Sequence, residues 1–184
     1  MSFGMAGGFK GKNIVFADFD GVLTSTHEVP GSYLNAGSEY GISPGCYGRL
    51  VGLCGRAGAV VVVSSNWRRF DDDGVWSYCS FGQGAYFQNP LPKLRAALGP
   101  LYAGTLPTDR HIKKSQALVL WMKAHPEFDG GFAVLDDDMR EGFQDVAEYG
   151  ISGRFVRTDP EWGFTDADAE KAFEHLARPV ERGV

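Results

Sequence analysis

Three stretches of the chain are apolar without interruption, and each runs directly into polar residues. Ile14-Val15-Phe16-Ala17 leads into Asp18-Phe19-Asp20-Gly21, Ala59-Val60-Val61-Val62-Val63 into Ser64-Ser65-Asn66, and Phe132-Ala133-Val134-Leu135 into Asp136-Asp137-Asp138. Short apolar runs rich in β-branched residues are strands buried on both faces, the condition of a parallel sheet. Leu101 to Leu106 and Arg154 to Arg157 add two weaker strands. Helical spacing fills the intervals. Ser43-Pro44 starts a helix with Leu50, Val51, Leu53 and Cys54 on its apolar face, ending near Gly55 or Gly58. Pro92 to Leu98 forms a short helix, Thr108 or Asp109 caps one from about Ile112 to His125 that Pro126 stops, and Thr165 caps a last one through about Leu176. Strands alternating with helices predict an α/β fold, a three-layer doubly wound parallel sheet of about five strands with right-handed crossovers. The stretch around 24–43, rich in Gly, Ser, Pro and Asn, reads as a short flap, and Phe70 to Asn89 carries no assignable period.

The 184 residues, 43% hydrophobic and 22% charged, suit a globular protein with one core, so residues 13–178 are expected to form a single domain after a flexible leader at 1–12. A formal charge of −5 argues against an extended nucleic-acid-binding surface, and it means that an anionic ligand needs local positive charge and a metal. Cys46, Cys54 and Cys79 form no CxxC pair, which points to reduced thiols rather than structural zinc. With no signal peptide and no segment long enough to span a bilayer, the expected location is the cytoplasm, with no membrane partner.

Residues two apart on an extended chain face the same side, so Asp18 and Asp20 bring two negative charges together unless the backbone bends or a cation intervenes. Parallel strands also carry the polar ends at Asp18, Ser64 and Asp136 to one edge, where open α/β sheets bind ligands. The run Asp18-Phe19-Asp20-Gly21-Val22-Leu23-Thr24 closely resembles motif I of the haloacid dehalogenase-like (HAD) phosphohydrolases. Ser64-Ser65-Asn66 then corresponds to motif II, Lys113 or Lys114 to motif III and Asp136-Asp137 to motif IV. The resemblance spans roughly Asn13 to Leu176 and implies a HAD-like, Rossmann-like catalytic domain with a minimal cap.

By that resemblance Asp18 is the nucleophile, forming an aspartyl-phosphate, and Asp20 is the general acid and base. Magnesium is the expected cofactor, a hard ion suited to carboxylates and phosphate oxygens. The implied ligands are the Asp18 side chain, the Asp20 backbone carbonyl and one carboxylate of the Asp136-Asp137 pair, Asp137 favoured, with Asp136 orienting a water or the lysine. Lys114-Ser115-Gln116-Ala117-Leu118 fits the family's lysine motif, Lys113 being the fallback. Substrate phosphate falls to Ser64, which directly follows the strand and is favoured, or to Ser65, to Asn66, and to Arg68, whose guanidinium forks onto phosphate oxygens. Trp67 reads as packing, Asp71 to Asp73 as a solvated loop, Asp138 as a turn cap, and the histidines as structural, except that His27 in the flap stands within reach of substrate.

The function implied is a magnesium-dependent phosphatase acting on a phosphate monoester. An open site admits a phosphorylated small molecule, a nucleotide or a nucleic-acid end, with the aromatic segment Trp76 to Phe87 available to stack a base. Two rivals stand beside it. One is a non-catalytic phospho-ligand or partner-binding module on the same fold, against which the retention of both Asp18 and Asp20 counts. The other is a phosphotransferase or phosphomutase, which needs a lid that this chain has little material to build.

Overall fold

The computed structural model describes residues 8–28, 41–66, 75–78, 85–88, 91–109, 111–137 and 151–180, with backbone alone for 75–78 and 85–88. Expectations resting on Trp67, Arg68, Asp71 to Asp73, Cys79, Asp138, most of the flap and most of the leader lie outside those residues, as do the side chains of the aromatic segment.

Five strands form one all-parallel sheet: β1 (Asn13–Ala17), β2 (Ala59–Val63), β5 (Tyr102–Thr105), β6 (Phe132–Asp136) and β7 (Phe155–Arg157), in the spatial order β5-β2-β1-β6-β7. The chain starts at the centre, steps outward through β2 to β5, then crosses back to lay β6 on the other side of β1. The order of winding therefore reverses between β1 and β6, in register from Ile14↔Phe132 to Ala17↔Leu135. That reversal leaves a crevice at the carboxyl ends of those two strands.

Alternation of side chains distributes each strand between two layers. Val15, Ala17, Val61, Val63, Ala133 and Leu135 pack with α1 (Pro44–Ala57), α2 (Leu91–Leu98) and α4 (Asp166–Leu176), through Leu50, Leu53, Leu94, Ala172 and Leu176. Ile14, Phe16, Val62, Phe132 and Val134 face α3 (Lys114–Ala124), meeting Ala117, Leu118 and Trp121. The α/β, three-layer expectation holds.

Local chemistry explains the helix ends. The Ser43 hydroxyl accepts the Cys46 amide at 3.2 Å with Pro44 in the first turn, and Gly58, at φ +60°, closes α1 in a left-handed cap. Thr165 and Asp168 form a reciprocal capping box on α4. The expected start of α3 needs correction. Neither Thr108 nor Asp109 caps it, because the Asp109 carboxylate takes the His111 amide at 2.8 Å in a tight turn of its own. The helix begins instead at Lys114, and the Lys113 amide donates to the Gln116 side chain at 3.0 Å. The unassigned stretch contains an antiparallel hairpin, β3 (Val75–Tyr78) with β4 (Ala85–Gln88), in a separate two-stranded sheet. Among the described residues no helix is long and apolar enough to cross a membrane.

Candidate active site

Asp18 follows β1 without a break: its amide continues the ladder to the Leu135 carbonyl at 2.9 Å, and its carboxylate is buried. One carboxylate oxygen, Oδ1, accepts the Phe19 amide at 2.7 Å. The other, Oδ2, accepts from the Lys114 ammonium, which donates also to Asp136 Oδ2 at 2.6 Å. Lys114 comes from the first turn of α3, and Asp136 is the last residue of β6. Three elements far apart in sequence thus close a buried carboxylate–ammonium–carboxylate bridge at the crevice between β1 and β6.

The electrostatics follow. Burial by itself would raise the Asp18 pKa, but the Lys114 charge, with hydrogen bonds from Lys114, the Phe19 amide and Ser65, holds it below the ordinary carboxylate value. Burial would lower the Lys114 pKa, and the charges of Asp18 and Asp136 hold it above the ordinary lysine value instead. Both groups are ionised at neutral pH.

Past Asp18 the chain turns at Gly21, whose φ of +67° lies in the left-handed region that glycine enters without strain. Two threonines hold the turn. Thr24 Oγ1 accepts the Gly21 amide at 2.9 Å, and Thr158 Oγ1, just beyond β7, donates to the Gly21 carbonyl at 2.7 Å. A Cβ on Gly21 would overlap the Asp137 carboxyl group, so the bare backbone here is what lets Asp137 close over the crevice. Asp20 lies partly exposed at its mouth.

Asp18, Asp136 and Asp137 present carboxylate oxygens all within 4.8 Å of one another. Among the described residues, the Lys114 ammonium is shared by two of these three carboxylates, so the cluster is strongly acidic. A divalent cation with a preference for oxygen ligands fits both the charge and the donor chemistry.

Of the residues expected at the site, the structure brings together Asp18, Lys114, Asp136, Asp137 and Ser65, whose hydroxyl reaches Asp18. Ser64 is buried where its amide extends the sheet to the Ala17 carbonyl at 2.8 Å, and Asn66 is partly buried beside it. Lys113 is exposed, and the lysine that makes the bridge is Lys114. The threonines had not been singled out. Thr24 was visible within the Asp18 to Thr24 run, and Thr158 is one more polar residue directly after a strand.

A buried ionised carboxylate, a lysine and a cluster of three carboxylates thus lie together at the switch point of a doubly wound sheet, where such folds bind ligands. The chain belongs to the family described as HAD domain in Swiss Army Knife RNA repair proteins, which matches residues 14–169. The resemblance drawn from Asp18 to Thr24 is borne out, and membership supports a phosphohydrolase-type role. Neither a curated protein nor a solved structure matches the chain.

Proposed function

We propose that the protein is a magnesium-dependent phosphatase that removes the terminal phosphate of a nucleic-acid end through an aspartyl-phosphate on Asp18. The observation that carries this reading is the buried, ionised Asp18 held between Lys114 and the Asp136-Asp137 pair. The family's description, which places such domains in RNA repair proteins, supports a nucleic-acid end over a free metabolite. We read residues 13–178 as one catalytic domain working in the cytoplasm.

A phosphate monoester resists attack because its own oxygens are negative, so the site must neutralise and orient it. An Asp18 oxygen attacks phosphorus as the bond to the leaving oxygen breaks, and Asp20 gives that oxygen its proton. Water then attacks the aspartyl-phosphate and passes a proton to Asp20. The Asp18–phosphorus link opens, which regenerates both carboxyl groups and releases inorganic phosphate. Lys114 holds the nucleophile in place and offsets phosphate charge, while Asp136 orients the lysine. Ser64 or Ser65 and Asn66 donate to phosphate oxygens, and Arg68 is assigned to the same task. Magnesium, held by Asp18, Asp137 and the Asp20 carbonyl, would supply Lewis-acid neutralisation of a phosphate oxygen.

The test is hydrolysis of phosphorylated oligonucleotide ends, nucleotides and an aryl phosphate, with magnesium and with excess chelator. Activity should vanish with chelator, return with magnesium and be absent from a folded Asp18→Asn variant. Asp20→Asn should lose far more activity on alkyl than on aryl phosphates, whose leaving oxygen needs little protonation. Normal turnover by Asp18→Asn would end the covalent mechanism, and undiminished activity in chelator would remove the metal.

A further inference from the structure

Trp162 is held in an arrangement that neither the fold nor the phosphate site requires. It exposes 47% of its surface, yet its own backbone and the loop of His27 are hydrogen-bonded in place. Its amide donates to the Asp159 carbonyl at 3.1 Å, and its carbonyl accepts from the Cys46 thiol at 3.6 Å. His27 lies against the indole, with ring centroids 4.1 Å apart and the planes tilted by 32°. The loop carrying His27 is fastened as well. The Ser25 hydroxyl and the His27 amide both donate to the Glu161 carbonyl, at 2.8 and 3.0 Å. Glu28 accepts from the Ser43 hydroxyl and, at 3.0 Å, from the Gly45 amide.

These two loops are tied to the turn that follows Asp18. Thr158 donates to Gly21, and the Phe164 amide donates to the Val22 carbonyl at 2.9 Å, two residues on from Asp20 and from Trp162 respectively. Since a residue spans at most about 3.6 Å of chain, the backbones of Trp162 and Asp20 lie no more than about 20 Å apart. A rigid tryptophan with one face supported and the remainder in water keeps apolar surface exposed without the burial that ordinarily stabilises it. Beside a phosphate site, a flat π-surface of this kind matches a nucleobase, because every base offers a stacking face whatever its sequence.

We propose that Trp162, backed by His27, is a stacking platform for one of the last nucleobases of a phosphorylated strand end. The inference rests on the nucleic-acid-end reading above and names the part of the strand that is recognised. It adds a stacking surface, on the loop after β7, to the aromatic segment Trp76 to Phe87, whose side chains lie outside the described residues. Recognition there is indifferent to base identity, since stacking carries no hydrogen-bond code.

The test is equilibrium binding, by fluorescence polarisation, of a labelled phosphorylated pentaribonucleotide in an Asp18→Asn background that leaves the ligand uncleaved. The last three nucleotides are replaced one at a time by an abasic residue. At one position the loss of the base should weaken binding by about 5-fold to about 150-fold. That sensitivity should disappear in Trp162→Ala and largely survive in Trp162→Phe, which also keeps the test valid if the alanine variant does not fold. Equal affinity for base-bearing and abasic strands would overturn the platform, as would an abasic effect that persists in Trp162→Ala, or a loss shared by all ligands. Tighter, Trp162-dependent binding of a phosphorylated peptide would overturn the nucleobase assignment. If no phosphate ester is hydrolysed, the phosphatase reading fails while the abasic comparison still decides the platform.

Discussion

Replacing Lys114 with methionine keeps the length and apolar stem of the side chain and removes only the charge that joins Asp18 to Asp136. The three side chains are almost dry: Lys114 is 4% exposed, Asp18 7% and Asp136 0%. Removing one partner of a buried ion pair costs about 3–5 kcal/mol, because the remaining charge stays uncompensated away from water. In a chain of this size 1 kcal/mol shifts the melting temperature by about 2–4 °C, so Lys114→Met should melt about 6 to 20 °C below the parent at pH 7 without divalent metal. Acid should narrow the gap. In the parent, Lys114 and the hydrogen bonds hold the Asp18 pKa below its ordinary value of 3.8, so its contribution is full above that value and lost only as pH falls through the folded pKa. In the variant, burial acts without the lysine and raises the folded pKa above 3.8. The folded state then binds more protons than the unfolded, and the variant gains stability as pH falls from 7 toward 4. Magnesium should raise the melting temperature of the variant more than that of the parent, by replacing part of the missing charge. Circular-dichroism melts over pH and magnesium read all three effects. A variant melting within about 2 °C of the parent at pH 7 would refute the reasoning, as would a gap that widens in acid.

Gly21→Ala forces a side chain into a left-handed conformation and into the Asp137 carboxyl group. It should destabilise by about 2 kcal/mol or more in urea titration, and an unchanged midpoint would show that the turn relaxes freely. Thr158→Val leaves the buried Gly21 carbonyl without its hydroxyl donor, at a cost of about 1–3 kcal/mol that Thr158→Ser should recover. Equal losses in both variants would assign the effect to packing. His175 has its pKa pushed below 6.5, first by burial and then by the Arg178 and Arg154 charges, and Arg178 donates to its Nδ1. The unfolded chain therefore takes up the proton first. The stability due to a neutral His175 is full above pH 6.5 and declines as pH falls toward the folded pKa, so His175→Gln should flatten the fall in melting temperature between pH 7 and 5. An unaltered slope would exclude it.

How much could be read beforehand depended on whether short-range or long-range forces decided the matter. β1, β2 and β6 were legible because their apolar runs needed burial on both faces, the half-buried edge strands β5 and β7 gave a weaker signal, and α1 and α4 were legible because Ser43, Gly58 and Thr165 act within one turn. The start of α3 was not. Asp109 looks like a helix cap, but its carboxylate turns back onto the His111 amide, and the first helical residue is the one whose ammonium reaches Asp18 and Asp136 from the opposite layer. The hairpin of β3 and β4 escaped because four-residue strands joined through glycines carry no clear period, and their partner is each other rather than the main sheet. At the site the residue types were plain from strand ends, while the choice between neighbours was not. Moving one residue along a strand end reverses the face, and only the fold brings Ser65 to Asp18 and sets Lys113 outside the bridge.

The same geometry explains why this sheet tolerates an acidic centre. Asp18 and Asp136 are 118 residues apart in sequence but end adjacent strands, so their repulsion does not exist in the unfolded chain and arises only as β1 pairs with β6. Ile14, Val15, Phe16 and Ala17 opposite Phe132 to Leu135 supply an apolar ladder that holds the two strand ends together regardless. Lys114 then enters from the α3 side, while Thr158 and Thr24 secure the turn at Gly21, against which Asp137 lies. Among the described residues, the Lys114 ammonium bridges two of the three carboxylates gathered there. In the mechanism proposed above, a divalent ion bound by this acidic cluster would let a negatively charged phosphate approach Asp18. The acidic cluster is thus the feature that ties the stability of the fold to the chemistry proposed for it.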